Sequence, residues 1–264
     1  MSCDRSCNQM PYAKMTGLDL PEDIATVWRY MDFSKYMSML VTEGVYFVRC
    51  DRFEDKWDSV LPRRWHAQMS RDRLPTSDGR ELTEAEWYTE KEIPTRPVSC
   101  WHVHEHEDDA MWKRYTPTES TAVAIRSTVA QLKQSFSSCA EEVRIGLVKY
   151  GDHEELGDPK FSAAYWGSEP SPAPLNPWYR PQFFKRKFFE LDRELRAMVY
   201  VSPSIEHGHL LKIGVDGLRA LIQSVHLKPG SSKWFKQVVE SVTARYGLPA
   251  TPVCFSEIDV APPG

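Results

Sequence analysis

No apolar run in this chain approaches the roughly 20 residues that a membrane-spanning helix needs, and no apolar signal-peptide core follows the initial Met. A cytoplasmic protein without a membrane partner is therefore expected. Neither a G-x-G-x-x-G turn nor a P-loop occurs, which argues against Rossmann and P-loop enzymes. No Ser/His/Asp order and no nucleophile elbow are visible, so a hydrolytic triad finds little support. There is no internal repeat and no clear linker. The formal net charge of -4 gives no global field for nucleic acid or an anionic surface, leaving only a local basic groove as an option. Paired cysteines are also lacking. Cys50, Cys100, Cys139 and Cys254 stand singly, mostly in apolar surroundings, and are expected as buried free thiols. Cys3 and Cys7 offer at most half a metal site, in an N-terminal stretch (1–20) expected to be flexible.

What is present is the composition of a folded protein. The 264 residues are 41% hydrophobic and 27% charged, enough to bury one large core or two modest ones, and nine are Trp. Strand-like and helix-like segments are interspersed. Strands are expected at 27–31, 45–49, 97–103, 121–126, 143–150, 197–201, 209–215, 223–227 and 251–256. Helices are expected at 33–43 (N-cap Asp32, stop at Gly44), 84–91 (capping box Thr83 to Glu86), around Met111–Tyr115, 128–136 (cap Ser127), 216–222 and 231–246. The segment 151–181, with six prolines, reads as a long irregular loop of the kind that is functional or mobile. The pattern predicts one α+β domain over 21–260, built on a central, largely antiparallel sheet flanked by helices.

The densest chemistry lies in 183–196, where four aromatics, three acids and five bases fall within fourteen residues. As a helix, Phe184, Phe188, Leu191 and Leu195 form one apolar stripe. As a strand from Glu190, the residues Glu190, Asp192, Glu194 and Arg196 alternate against Leu191, Arg193, Leu195 and Ala197. Carboxylates and guanidinium groups held beside a buried strand are either paired or used. Three further places stand out. Arg29 is a charge inside an aromatic strand, suited to gripping phosphate or carboxylate, with Asp51, Glu54, Asp55 or Asp58 as its structural partner otherwise. Trp112 and Tyr115 share a helix face that either stacks a planar ring or packs the core. His102, His104 and His106 share a face if the strand continues, offering three imidazoles to a metal, although the spacing is not that of a structural zinc site. No metal is predicted.

Several segments together resemble the bacterial domain of unknown function DUF2971, in that family's order over roughly 25–260. They are Trp28-Arg29-Tyr30-Met31, Val45 to Asp55, Ser99-Cys100-Trp101-His102, Met111 to Tyr115, and Lys185 to Arg196, with Asp192 where Glu is more usual. At the level of fold the chain is also similar to ADP-ribosyltransferases, which begin with a strand bearing Arg or His, place an aromatic later and end with a Glu. That similarity implies NAD as cofactor and Arg29, Tyr115 and Glu194 as the catalytic set. Arg29 would hold a phosphate of NAD⁺ and Glu194 would stabilise the developing oxocarbenium ion. Trp112, Lys185, Glu190 and Arg196 complete the cofactor site in this reading. The acceptor would be a nucleic acid or a protein, in a conflict or defence setting. Two alternatives remain open at this stage. One is a nucleic-acid binder or Mg-dependent nuclease using Glu190, Asp192 and Glu194. The other is a non-catalytic interaction or sensor module.

Overall fold

A computed structural model describes residues 12–13, 18–118, 120–152, 154, 181–201 and 206–259. The chain opens with β1 (Tyr12–Ala13) and β2 (Thr26–Asp32), then α1 (Phe33–Thr42) and β3 (Gly44–Val48). Asp32 ends the strand and caps the helix, accepting from the Lys35 N–H at 2.8 Å, so the two elements meet without a loop. The expected stop at Gly44 is displaced by one residue. Glu43 takes the left-handed conformation (φ 50°), and Gly44 already lies in β3. Glycine is needed there for another reason: a Cβ would sit 2.8 Å from the Leu211 carbonyl oxygen.

After α2 (Arg63–Met69) and the hairpin β4 (Arg73–Pro75) and β5 (Glu81–Thr83), the Thr83–Glu86 capping box opens α3 (Glu84–Trp87). Next come β6 (Val98–Val103), α4 (Asp109–Tyr115), β7 (Ala122–Thr128) and α5 (Val129–Ser135). The cap of α5 is Thr128, not Ser127; the Ser127 hydroxyl is buried without a partner among the described residues. The strand expected at 143–150 is two, β8 (Val143–Leu147) and β9 (Lys149–Gly151). Nearly all of the Pro-rich segment 151–181 and most of 1–20, with Cys3 and Cys7, lie outside the described residues. The remainder is β10 (Phe184–Arg186), β11 (Glu194–Val199), β12 (Gly208–Lys212), α6 (Gly214–Leu221), β13 (Ser224–Leu227), α7 (Lys233–Arg245) and β14 (Val253–Cys254).

Ten of the described strands form one sheet, in the order β1-β8-β11-β6-β2-β7-β13-β14, with β3 attached to β6 and β12 to β3. Pairing is antiparallel except at the β1–β8 and β13–β14 edges, so the fold is the expected α+β with a largely antiparallel sheet. One face packs against Tyr36 and Leu40 of α1, Leu132 of α5, Leu218 and Leu221 of α6, and Phe235 and Val239 of α7. The other face has two smaller apolar clusters. One is built around Tyr88, Phe183, Phe184 and Met198, the other around Trp28, Tyr30, Met111 and Trp112.

The sheet is not continuous at its centre. β2 pairs with β6 only at Val27↔Val103 and Trp28↔His102 and then leaves it, while β3 joins β6 at Val48↔Val98. Because α1 carries the chain from β2 to β3, the strands diverge into a cleft that begins at Arg29.

The stripe expected for 184–195 is not there. Phe184 (3% exposed) and Leu195 (0%) are buried, yet Phe188 (87%) and Leu191 (79%) face solvent. The chain runs from β10 through a 3-10 helix (Lys187–Asp192), and Arg193 (φ 42°) redirects it into β11. The side-chain period therefore changes from 2 to 3 and back within twelve residues, and no single period describes the segment.

Candidate functional site

The cleft opens into a cavity of about 740 Å³, within the range of about 300–1,000 Å³ common for small-molecule sites. Arg29, Tyr115 and Glu194 all line it, as do Lys185 and Arg196. Trp112 and Glu190 are not among its lining residues. Trp112 is 1% exposed in the cluster with Tyr30 and Met111, and its indole N–H donates to Glu107 at 3.0 Å. Glu190 is exposed on the 3-10 turn.

Arg29 shares its strand face with Val27 and Met31, the main-core side, and reaches the cavity because the sheet opens beside it. One Nη donates to the Tyr46 carbonyl at 2.9 Å and the guanidinium lies 5.6 Å from the centre of the Trp101 ring; the other Nη is buried with no partner among the described residues. Burial lowers its pKa to about 10, still well above neutrality, so the cation persists and is undersupplied with acceptors. Three of the four acids expected as its structural partners are engaged elsewhere: Asp51 with Arg49 at 2.7 Å, Asp55 with Arg186 at 2.7 Å and Asp58 with Arg196 at 2.6 Å.

Glu194 and Arg196 stand two apart on β11 and so share a face. Arg196 is fully spent. It holds Asp58 through both Nη atoms (2.9 and 2.6 Å), reaches Glu194 from Nη2 (2.9 Å), and donates to the Gln182 carbonyl (2.6 Å). Burial would lower its pKa, but Asp58 and Glu194 outweigh that and raise it well above the usual value. Burial likewise opposes ionisation of Glu194, yet Arg196, then Lys185, then His102 hold its pKa down to about 2. It is a permanent anion in a buried setting. Lys185 lies 3.7 Å from Glu194 and 3.0 Å from Asp192.

Asp192, whose side chain is fully buried, organises this wall. It takes Lys185 on one oxygen and Arg114 on the other, and its backbone carbonyl accepts from His102 Nδ1 at 2.9 Å. Three cations, Arg114, Lys185 and Arg186, lie over the Phe189 ring at 5.6, 4.7 and 5.6 Å. Tyr115, at the end of α4, sets its ring 4.7 Å from that of His102; burial, then Glu194, raises its phenol well above the usual range.

Reasoning from the sequence missed Asp192, Cys100, Phe189 and His102 as members of this site. For His102 and Cys100 a signal existed: strand alternation in Ser99-Cys100-Trp101-His102 puts both on the face of their cross-strand partners Glu194 and Arg196. The three histidines do not act as a set. β6 ends at Val103, His102 lines the main cavity, and His104 and His106 line a second cavity of about 810 Å³ with Trp28, Arg126 and His226. The acids proposed for Mg²⁺ are likewise dispersed, with Asp192 and Glu194 matched by cations and Glu190 in solvent. Among the described residues, no three His, Cys, Asp or Glu side chains are grouped to hold a metal ion. No helix among them is long and apolar enough to cross a membrane.

Neither the protein-family models nor the curated proteins compared with the chain match it, so the resemblance to DUF2971 rests on its motifs alone. Among solved structures, the chain is similar to Thermus sp. 2.9 DarT in complex with ADP-ribosylated ssDNA, at 9% identity and a TM-score of 0.38, over 94% of this chain and 100% of that one. The same protein in complex with NAD⁺ (11% identity, TM-score 0.38) and with carba-NAD⁺ (10%, 0.37) matches over 92% of this chain and 100% of each. Identities and TM-scores this low transfer neither a residue nor an activity.

Proposed function

We propose that the cleft binds NAD⁺ and that the protein is an ADP-ribosyltransferase-like enzyme acting on a macromolecular acceptor. The observation that carries this reading is the meeting of Arg29, Tyr115 and Glu194 around one cavity at the split in the sheet. The Arg29 guanidinium, whose residue lines one wall and which makes one hydrogen bond through a single Nη, is suited to a phosphate oxygen. A carboxylate held ionised on another wall is suited to stabilising positive charge at the C1′ of the nicotinamide ribose as the glycosidic bond lengthens. The Tyr115 ring, which lines the same cavity, gives a planar ring a surface to stack on. In this role Arg196 and Lys185 do not grip the cofactor; they keep Glu194 charged and aimed.

Phe189 of the 187–191 turn lines the cavity, and the acceptor is taken to approach past this turn. The exposed Phe188 and Leu191 beside Lys187 offer stacking and charge together, which favours a nucleic-acid acceptor over a protein one. The reading is tested by adding NAD⁺ to the protein and recording both the melting temperature and nicotinamide release. An upward shift with wild-type protein that is absent in Arg29→Ala supports it. No shift and no release at millimolar NAD⁺ sinks it.

A further inference from the structure

His102 is the group in this cavity whose chemistry the reading above leaves unused, and its surroundings are unusually specific. The ring is 2% exposed and sits directly across the ladder from Glu194. Its Nδ1 lies 2.9 Å from the Asp192 carbonyl oxygen, which can only accept, so Nδ1 carries the proton and donates. The second nitrogen, Nε2, is therefore left as a bare lone pair, and no hydrogen bond to it is made by any described residue. The Tyr115 ring at 4.7 Å and the Tyr30 ring at 6.0 Å fix the imidazole plane. A buried imidazole whose tautomer and orientation are set by one nitrogen, and whose other nitrogen takes no hydrogen bond from any described residue, is the arrangement a proton acceptor requires.

Resting on the NAD⁺ reading of the same cleft, we infer that His102 Nε2 is the general base that takes the proton from the attacking acceptor group. In that step an acceptor O–H or N–H approaches C1′ of the nicotinamide ribose. The new bond from the acceptor atom to C1′ forms as the C1′–N bond breaks. The bonding pair leaves with the ring nitrogen and neutralises the pyridinium, so nicotinamide departs uncharged. The acceptor proton passes to His102 Nε2, and the imidazolium is stabilised by Glu194 opposite. The products are the ADP-ribosylated acceptor, nicotinamide and one proton, later lost to solvent. Glu194 cannot itself be that base, since Arg196 and Lys185 hold it as a very weak one.

The charge environment fits an imidazole that is neutral when it starts work. Burial lowers the His102 pKa below its ordinary 6.5, and Glu194 and Asp192 only partly restore it, while Lys185 opposes protonation. Tyr115 and Tyr30, which face the ring from α4 and β2, stay protonated near neutrality because burial raises both.

The experiment is NAD⁺ turnover, followed as nicotinamide release with water as acceptor, across pH 4.5–8.5 for wild type and His102→Asn. Asn keeps a donor for the Asp192 carbonyl and lacks the distal lone pair. Turnover by His102→Asn is expected to fall about 100-fold or more with the NAD⁺ Kd changed less than about threefold, and the acid limb of the wild-type profile is expected to vanish. In His102→Ala, added imidazole is expected to restore part of the rate, with the unfolding midpoint of each variant measured alongside. Turnover within about threefold of wild type with the acid limb intact, or no rescue by imidazole in a folded His102→Ala, overturns the role of His102 and leaves NAD⁺ binding standing. Wild-type protein that neither binds nor cleaves NAD⁺ overturns both.

Discussion

Arg29 donates to the Tyr46 carbonyl across the gap where β2 parts from β6, and its second Nη finds no partner among the described residues. Replacing it with Ala removes one hydrogen bond and one buried unsatisfied donor together, so the net change in stability is expected to stay near about 1 kcal/mol. The loss should appear in binding instead. NAD⁺ affinity by calorimetry is expected to drop about tenfold or more, and Arg29→Lys should recover little of it, because an ammonium cannot hold Tyr46 and a phosphate in one plane.

Glu194→Gln separates charge from shape. Nicotinamide release is expected to fall about 100-fold or more, the cost of losing preorganised charge at a developing cation. Stability carries a second signature. The folded pKa of about 2 lies below the ordinary 4.5, so the ionised carboxylate stabilises the fold fully above about 4.5, and that contribution is lost as pH falls toward 2. The stability gap between wild type and Glu194→Gln, from urea melts, should be constant from pH 7 to about 5 and shrink below it.

Asp192→Ala leaves Arg114 and Lys185 without their shared carboxylate beside a buried wall. Breaking a buried ion pair from one side costs about 3–5 kcal/mol, and the partial exposure of Arg114 places the expectation at the lower end. The check is the denaturation midpoint, with m unchanged. A loss under about 1 kcal/mol shows that Asp192 is not the organiser of this wall.

Phe188 and Phe184 give an internal contrast. Phe184→Ala is expected to cost about 3–5 kcal/mol as a core truncation, and Phe188→Ala to stay within about 0.5 kcal/mol, since one ring is 3% exposed and the other 87%. If Phe188 meets the acceptor, its loss should raise KM for a single-stranded oligonucleotide while leaving hydrolysis of NAD⁺ by water unchanged.

Elements with local signals were readable from sequence. Asp32 before Phe33 and Thr83 before Glu86 each satisfy orphan backbone donors in a recognisable pattern, and both caps form. The strand carrying Arg29 was visible because a lone guanidinium among aromatics breaks the expected pattern. Phe188 and Leu191 misled because helical spacing alone cannot report that β10 and β11 capture the flanks of the segment and force a tight turn between them. Trp112 misled for a related reason: its ring meets that of Tyr30, far away in sequence, while its indole N–H is taken by Glu107 just before the helix. Asp192 was visible as an acid in a charged cluster, but its pairing was not, since it is shared by Lys185, Arg114 and the backbone contact to His102, which only the fold assembles.

The junction Val48↔Val98 is where β3, and through it β12, joins the rest of the sheet. This pair of strands, attached through so short a ladder and seated in the main core by Val45, Phe47 and Leu211, forms one jaw of the cleft. The backbone hydrogen bonds of that ladder form its hinge, and their amide protons should exchange with solvent sooner than those along β6–β11. A ligand bridging Arg29 and Tyr46 to Glu194 would clasp the jaw from inside, and its binding would be read most directly as slowed exchange at that hinge.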